Sequence, residues 1–161
     1  MASSFRIGLG EDSHRTTDGG PLRIGGVDVP HSKQLVGHSD ADVLLHAVTD
    51  AVLGAAGLPD IGHMFPNTEE GNRNRDSADM LRLAYDRVVN NGYRLVNLDC
   101  VVSAQEPKLG PHRETIAQRI ADILEVDAVA VNVKAKTGEG LGEIGRGELI
   151  AARCVALIEM I

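Results

Sequence analysis

A chain of 161 residues is long enough for one compact domain that buries about two-thirds of its unfolded surface, and a single domain over 1–161 is expected. The formal charge of −7, with no Trp, two Phe and two Tyr, excludes a basic nucleic-acid surface and an aromatic stacking platform. No apolar stretch approaches the roughly 20 residues of a membrane span, and no secretory leader precedes the first strand-like run. A cytoplasmic protein with neither nucleic acid nor membrane as partner is expected.

Phe5 to Gly10 reads as a short strand running into Asp12 and His14. Residues i and i+2 of an extended chain share a face, so these two side chains can converge on one point. Pro21 to Pro30 reads as a hairpin turning at Gly25-Gly26. Ser39 or Asp40 can cap a helix whose Val43, Leu44, Ala47, Val48, Ala51, Val52 and Ala55 recur at three- and four-residue steps, stopped by Gly57 and Pro59. Segment 60–76 has neither periodicity. A stretch of that kind is usually a binding loop or lid, and a merely mobile connection would show the same pattern.

A second helix is predicted from Ser77 to Asn90, stopped by Asn91-Gly92, and Tyr93 to Ala104 reads as a long strand. Pro111 opens a third helix reaching Glu125, and Ala128 to Lys136 alternates as a strand does. A glycine-rich loop from Gly138 to Gly147 feeds a predicted last helix, Glu148 to Glu159. Gly140, Gly142 and Gly145 spell a dinucleotide fingerprint, but no βαβ unit with a following acid is available to complete it. Cys100 and Cys154 lie in apolar runs without metal or redox spacing and read as small buried hydrophobes. The pattern predicts an α+β two-layer sandwich: a mixed sheet with helices packed on one face, plus a small hairpin.

Two histidines and one carboxylate that leave a coordination position open make a catalytic zinc centre rather than a closed structural one. Asp12 and His14 fit that role, or are ordinary loop polars. His46 shares a helical face with Asp42 and Asp50 rather than with the apolar stripe. It is either a solvated histidine or a metal ligand oriented by an acid, with Asp50 the better candidate for that acid. His38 and Ser39 stand where a helix start attracts phosphate, or are a loop residue and a cap.

Six ordered blocks resemble the 2-C-methyl-D-erythritol 2,4-cyclodiphosphate synthase family over nearly the whole chain. They are Arg-Ile-Gly-x-Gly-x-Asp-x-His at 6–14, His-Ser-Asp-x-Asp-Val-x-x-His-Ala-x-x-Asp-Ala at 38–51, Gly-Leu-x-Asp-Ile-Gly-x-x-Phe-Pro at 57–66, Ala-Gln-x-Pro-Lys at 104–108, Val-Asn-Val-Lys-Ala at 131–135 and Gly-Arg-Gly-Glu at 145–148. The resemblance implies a lyase of the non-mevalonate isoprenoid pathway. It would convert 4-diphosphocytidyl-2-C-methyl-D-erythritol 2-phosphate to the cyclic diphosphate and CMP, as a homotrimer with active sites between subunits.

It also implies Zn²⁺ on Asp12, His14 and His46, one per site, and Mg²⁺ or Mn²⁺ on Glu139. Thr137 would contact the diphosphate, His38 and Ser39 the 2-phosphate, and Asp60, Gly62 and Asn67 the erythritol side of the substrate. Ala104, Pro107, Lys108, Ala135 and Lys136 would form the cytidine pocket. Departures from the family pattern are Leu9, Glu11, Asn67, Lys136 and Glu143. With Glu11 and Glu143 brought toward the trimer axis, Arg146 is expected to pair with one of them and the axial cavity to take no isoprenoid. A zinc phosphohydrolase and a non-enzymatic trimeric scaffold are the competing readings.

Overall fold

The computed structural model describes residues 4–161. Its frame is a five-stranded mixed sheet of β1 (Phe5–Asp18), β4 (Lys33–Leu35), β5 (Tyr93–Ser103), β6 (Val131–Lys136) and β7 (Leu149–Met160), in the order β4-β1-β7-β5-β6. Among the described strands only the β5/β6 pair is parallel; β1 and β5 both run antiparallel to the central β7. A separate hairpin of β2 (Leu22–Ile24) and β3 (Val27–Val29) turns at Gly25 and Gly26, where φ is 62° and 73°. Those left-handed values favour glycine.

Helices α1 (Val43–Ala55), α3 (Ser77–Asn90) and α4 (Arg113–Leu124) cover one sheet face. Two single turns, α2 (Ile61–Met64) and α5 (Gly142–Gly145), lie in the loops. The predicted α+β two-layer sandwich with its small hairpin is the observed architecture. No described helix is long and apolar enough to cross a membrane.

Several boundaries differ from those predicted. The first strand continues past Gly10 to Asp18, because β7 pairs with it through Arg15 and β4 takes over from Thr16. The cap of α1 is Asp42, whose carboxylate accepts from Leu45 N–H, rather than Ser39 or Asp40. The last element is strand β7 and not a helix. Ile150, Ala152, Cys154, Ala156 and Ile158 alternate into the core, so cross-strand pairing on both sides overrides the helical preference of its alanines. A bulge at Val96 lets Leu95 and Leu98, three apart, both face the core.

The layers meet unusually closely where β1 passes under α1. Cβ atoms built on Gly8 and Gly10 would lie 2.0 Å from Ala51 O and 1.8 Å from Ala47 O. Two glycines on the inward face of β1 thus let the helix backbone rest on the strand. This close approach sets the height of His46 above Asp12 and His14.

Candidate metal centre and the cavities beside it

Strand β1 alternates Gly8, Gly10, Asp12 and His14 toward the helical layer. The first turn of α1 brings His46 down onto them. Asp12 Oδ2 lies 2.8 Å from His14 Nε2 and 2.9 Å from His46 Nδ1, and the two ring nitrogens are 3.2 Å apart. One ligand atom from each residue falls within 4.8 Å of the others. His14 Nδ1 is 2.9 Å from Val36 O. A carbonyl only accepts, so Nδ1 carries a proton, and in the neutral ring Nε2 then presents its lone pair to the centre. Three electron-rich atoms this close repel unless a proton or a cation sits among them. Two neutral imidazole nitrogens with a carboxylate oxygen are a donor set that suits zinc with one position left open. The residues therefore fit the metal.

Burial would raise the Asp12 carboxyl, but hydrogen bonds and charge from His14 and His46 outweigh it and hold it well below the usual carboxylate range. Burial would lower His14, and the Asp12 hydrogen bond and charge raise it above its ordinary value instead. Each group stabilises the charged form of the other.

The helix face carrying His46 is not solvated. His46 is 9% exposed and Asp42 is fully buried. Asp42 Oδ1 accepts from Leu45 and Gly25 N–H, and Oδ2 accepts from Gly26 N–H at 2.7 Å, tying the hairpin to α1. Burial pushes the Asp42 carboxyl up, against the pull of those three N–H groups. Asp50 does not orient His46, contrary to expectation. It accepts from Ile61 N–H at 2.8 Å and so fixes the start of the following loop. The outer nitrogen of His46, Nε2, faces Ser77 Oγ at 2.8 Å and Ser39 Oγ at 3.0 Å. Nothing in local sequence pointed to Ser77, which lies 31 positions away.

A cavity of about 210 Å³ opens beside the triad, lined among others by His38, Ser39, Gly62, Phe65 and Asn67. His38 Nε2 is buried there without a hydrogen-bond partner among the described residues, as a group awaiting a ligand would be. Segment 60–76 is a built wall rather than a loose connection. Asn72 Nδ2 donates to Pro66 O, Arg75 donates to Asn72 Oδ1, and the Arg75 guanidinium stacks 4.9 Å from the centre of the Phe65 ring. Asn74 N–H donates to His38 O, and Asp40 N–H to Arg75 O. Asp60 is the exception among the residues predicted for this cavity: its carboxylate caps α2 through His63 N–H and does not line it.

A second cavity, about 200 Å³, gathers Ala104, Pro107, Lys108, Ala135, Lys136 and Thr137. Arg113 joins them, a residue that the sequence did not single out. Glu139 stands just outside at φ 51°, its N–H on Thr137 Oγ1 at 3.2 Å. The two cavities belong to one level of the sheet. Ser13 registers with Ala151, Ala151 with Ser103, and Ser103 with Lys136. The strands that carry them, β1 and β6, are three strand spacings apart at this level, about 14 Å.

Of the residues expected at an axis, Glu11 pairs with Arg153 at 3.1 Å. Within the chain Arg146 pairs with neither Glu11 nor Glu143 but with Glu148, through contacts of 2.7 and 3.2 Å. Glu148 lies two residues on, close enough for a bidentate grip. The glycine fingerprint at 140–145 forms the α5 turn and leads into β7, which confirms its rejection.

The model of the YgbB family matches residues 5–159. The chain belongs to this family. It is 54% identical over 158 residues to the 2-C-methyl-D-erythritol 2,4-cyclodiphosphate synthase of Bordetella bronchiseptica, covering 98% of each chain. Among solved structures, a 2-C-methyl-D-erythritol 2,4-cyclodiphosphate synthase in its CDP-bound form superposes with a TM-score of 0.88 at 38% identity, covering 96% of this chain and all of that one. The bifunctional IspDF of Campylobacter jejuni gives a TM-score of 0.94 at 41% identity, covering 98% of this chain. The chain spans 42% of that longer protein.

Proposed function

We propose that the chain, acting as one catalytic domain, closes 4-diphosphocytidyl-2-C-methyl-D-erythritol 2-phosphate into 2-C-methyl-D-erythritol 2,4-cyclodiphosphate and releases CMP. An oxygen of the 2-phosphate attacks the β-phosphorus. The bond from that phosphorus to the bridging oxygen breaks, and CMP leaves with the electron pair. The nucleophile is already anionic near neutral pH, so no side-chain base is required, and catalysis reduces to positioning and charge neutralisation. The observation that carries this reading is the Asp12–His14–His46 triad beside a cavity holding the unpartnered His38 nitrogen.

His38 and Ser39 hold the 2-phosphate in line, and Gly62 and Asn67 bound the erythritol. Asp60 fixes the turn that presents Gly62 through Oδ1, and its Oδ2 would be the oxygen that accepts from an erythritol hydroxyl. Zinc on Asp12, His14 and His46 would supply Lewis acidity toward the β-phosphate. Glu139 would hold a second ion, Mg²⁺ or Mn²⁺, on the diphosphate beside Thr137. Ala104, Pro107, Lys108, Ala135 and Lys136 line a pocket suited to cytidine, and Arg113 adds a cation to it.

Adjacent phosphates cannot touch two half-sites about 14 Å apart in one chain. The reading therefore requires the Thr137 half of one copy to meet the metal half of another, as in a homotrimer. The sheet face away from the helices supports this, with Ile7, Leu9 and Val155 exposed by 75%, 63% and 46%. Glu11, Glu143 and Arg146 would approach the axis of that assembly, where Glu11 paired to Arg153 and Arg146 paired to Glu148 would leave little apolar surface for an isoprenoid. The cytoplasm is the proposed setting, where Cys100 and Cys154 would remain free thiols.

Phosphorus NMR of the protein with this substrate and Mg²⁺ tests the reading. CMP together with the cyclic diphosphate, lost on removing zinc, is the expected result. CMP with a linear product would make the protein a hydrolase, and no turnover with zinc bound would leave a scaffold.

A further inference from the structure

The outer nitrogen of His46 faces two serine hydroxyls, and the two are not equivalent. Ser77 is fully buried. Its hydroxyl is in close contact with Asp40 Oδ1 on one side and lies 2.8 Å from His46 Nε2 on the other. Asp40 is surrounded by donors. Its Oδ1 takes Asp42 N–H at 3.2 Å, its Oδ2 takes Ser77 N–H at 3.0 Å, and Arg23 Nε stands 3.6 Å from Oδ2. A carboxylate in such company accepts only.

A serine hydroxyl has one proton. Given to Asp40, it leaves only lone pairs toward His46, so Nε2 must be the donor there. The reverse arrangement would set a carboxylate oxygen against the lone pairs of a fully buried hydroxyl, at a cost neither group can offset. Ser39 Oγ, 3.0 Å from the same nitrogen, accepts Ala41 N–H and has no other acceptor for its proton among the described residues. It can follow either state of the ring.

We propose that Ser77, held by Asp40, is a positioning residue that fixes the proton of His46 on Nε2 and so reserves Nδ1 for the metal centre. The inference rests on the zinc reading above. Metal-bound imidazoles depend on the partner of their other nitrogen for ring orientation and basicity. Here that partner is supplied by α3, an element that contributes no ligand. The Asp40–Ser77 pair also joins the segment before α1 to the start of α3, so packing of the two helices sets the ring.

Ser77→Ala should leave the fold intact, since Asp76 still caps α3 through Ala78 N–H and Ser77 N–H still reaches Asp40. The test is zinc affinity, by competition with a chromogenic chelator, together with long-range proton–nitrogen NMR of the histidine rings in the zinc-loaded protein. Ser77→Ala should bind zinc about 10- to 100-fold more weakly, Ser77→Thr should restore affinity, and wild-type His46 should show its proton on Nε2. Unchanged affinity in Ser77→Ala overturns the proposal, as does a proton on Nδ1 of His46 in the wild type. Should Ser77→Ala fail to fold, the wild-type spectrum decides alone. A wild-type protein that takes no zinc overturns the zinc reading and this inference together, whereas an indifferent Ser77→Ala in a zinc-binding protein overturns this inference only.

Discussion

Gly10→Ala is the sharpest perturbation of the link between fold and site. The added Cβ would meet Ala47 O at 1.8 Å, against 3.4 Å or more for ordinary contact, so strand and helix must part there by about 1.6 Å. The obstacle is backbone on both sides, which no rotamer change relieves. Overpacking typically costs about 1–3 kcal/mol, and an encounter of this kind belongs at the upper end. A loss of about 3 kcal/mol corresponds to a fall of roughly 6–12 °C in Tm for a chain of this size. Ala47 follows His46 directly, so the same displacement lifts His46 from Asp12 and His14 by far more than the roughly 0.2 Å that a metal site tolerates. Gly8→Ala meets Ala51 O at 2.0 Å and Ala55 N at 2.4 Å, one helical turn further from His46. It should cost similar stability but less zinc affinity. Thermal unfolding of the metal-free proteins at one fixed concentration, with zinc titrations beside it, separates the two. If Gly10→Ala unfolds within 2 °C of wild type and binds zinc normally, the glycines do not set the height of the helix and the reasoning fails.

Asp42→Ala should destabilise by about 3 kcal/mol or more, because it removes a cap and strands the Gly25 and Gly26 N–H groups; urea denaturation checks this, and Asp42→Asn should recover part of the loss. His46→Ala should abolish zinc binding and turnover while leaving a folded protein by circular dichroism, and unfolding would instead make the metal structural. The metal-free protein should have a stability window set by Asp12 and His14. The depressed Asp12 contributes fully above its ordinary value of 3.8 and is lost as pH falls through its folded value. The raised His14 contributes fully below 6.5 and is lost as pH climbs through its folded value. Denaturation with chelator across pH should show both limbs; His14→Asn should remove the upper one, and a wild-type stability flat from pH 6 to 8 would contradict it.

How much was legible in the sequence follows from how local each signal is. Asp12 and His14 are two apart on one strand, and the Gly25-Gly26 turn and the Ser77–Asn90 helix are equally self-contained. The function of Asp42 was not legible, because its partners lie 16 and 17 positions back in a hairpin. Nor was the Asp40–Ser77–His46 chain, which exists only once α3 docks beside α1. Cys100 and Cys154 were correctly read as buried, but their contact at 3.3 Å comes from the register of two strands.

The misreading of β7 as a helix has a more telling cause. Its inward residues alternate as a strand should, yet Leu149, Ala151, Val155 and Leu157 on the other face are apolar too, so period two was hidden and a helical stripe fitted equally well. A strand reads this way when both of its faces need cover. Helix α1 packs on one face of β7. On the other, Val155 registers with Leu9, and Leu157 with Ile7, and no described residue covers the exposed Ile7, Leu9 and Val155. The residues that obscured the strand are therefore the ones that a second copy would cover in the proposed assembly. Bringing a second copy to this face is also what the half-sites, split about 14 Å apart across β1 to β6, require of any substrate that must touch both.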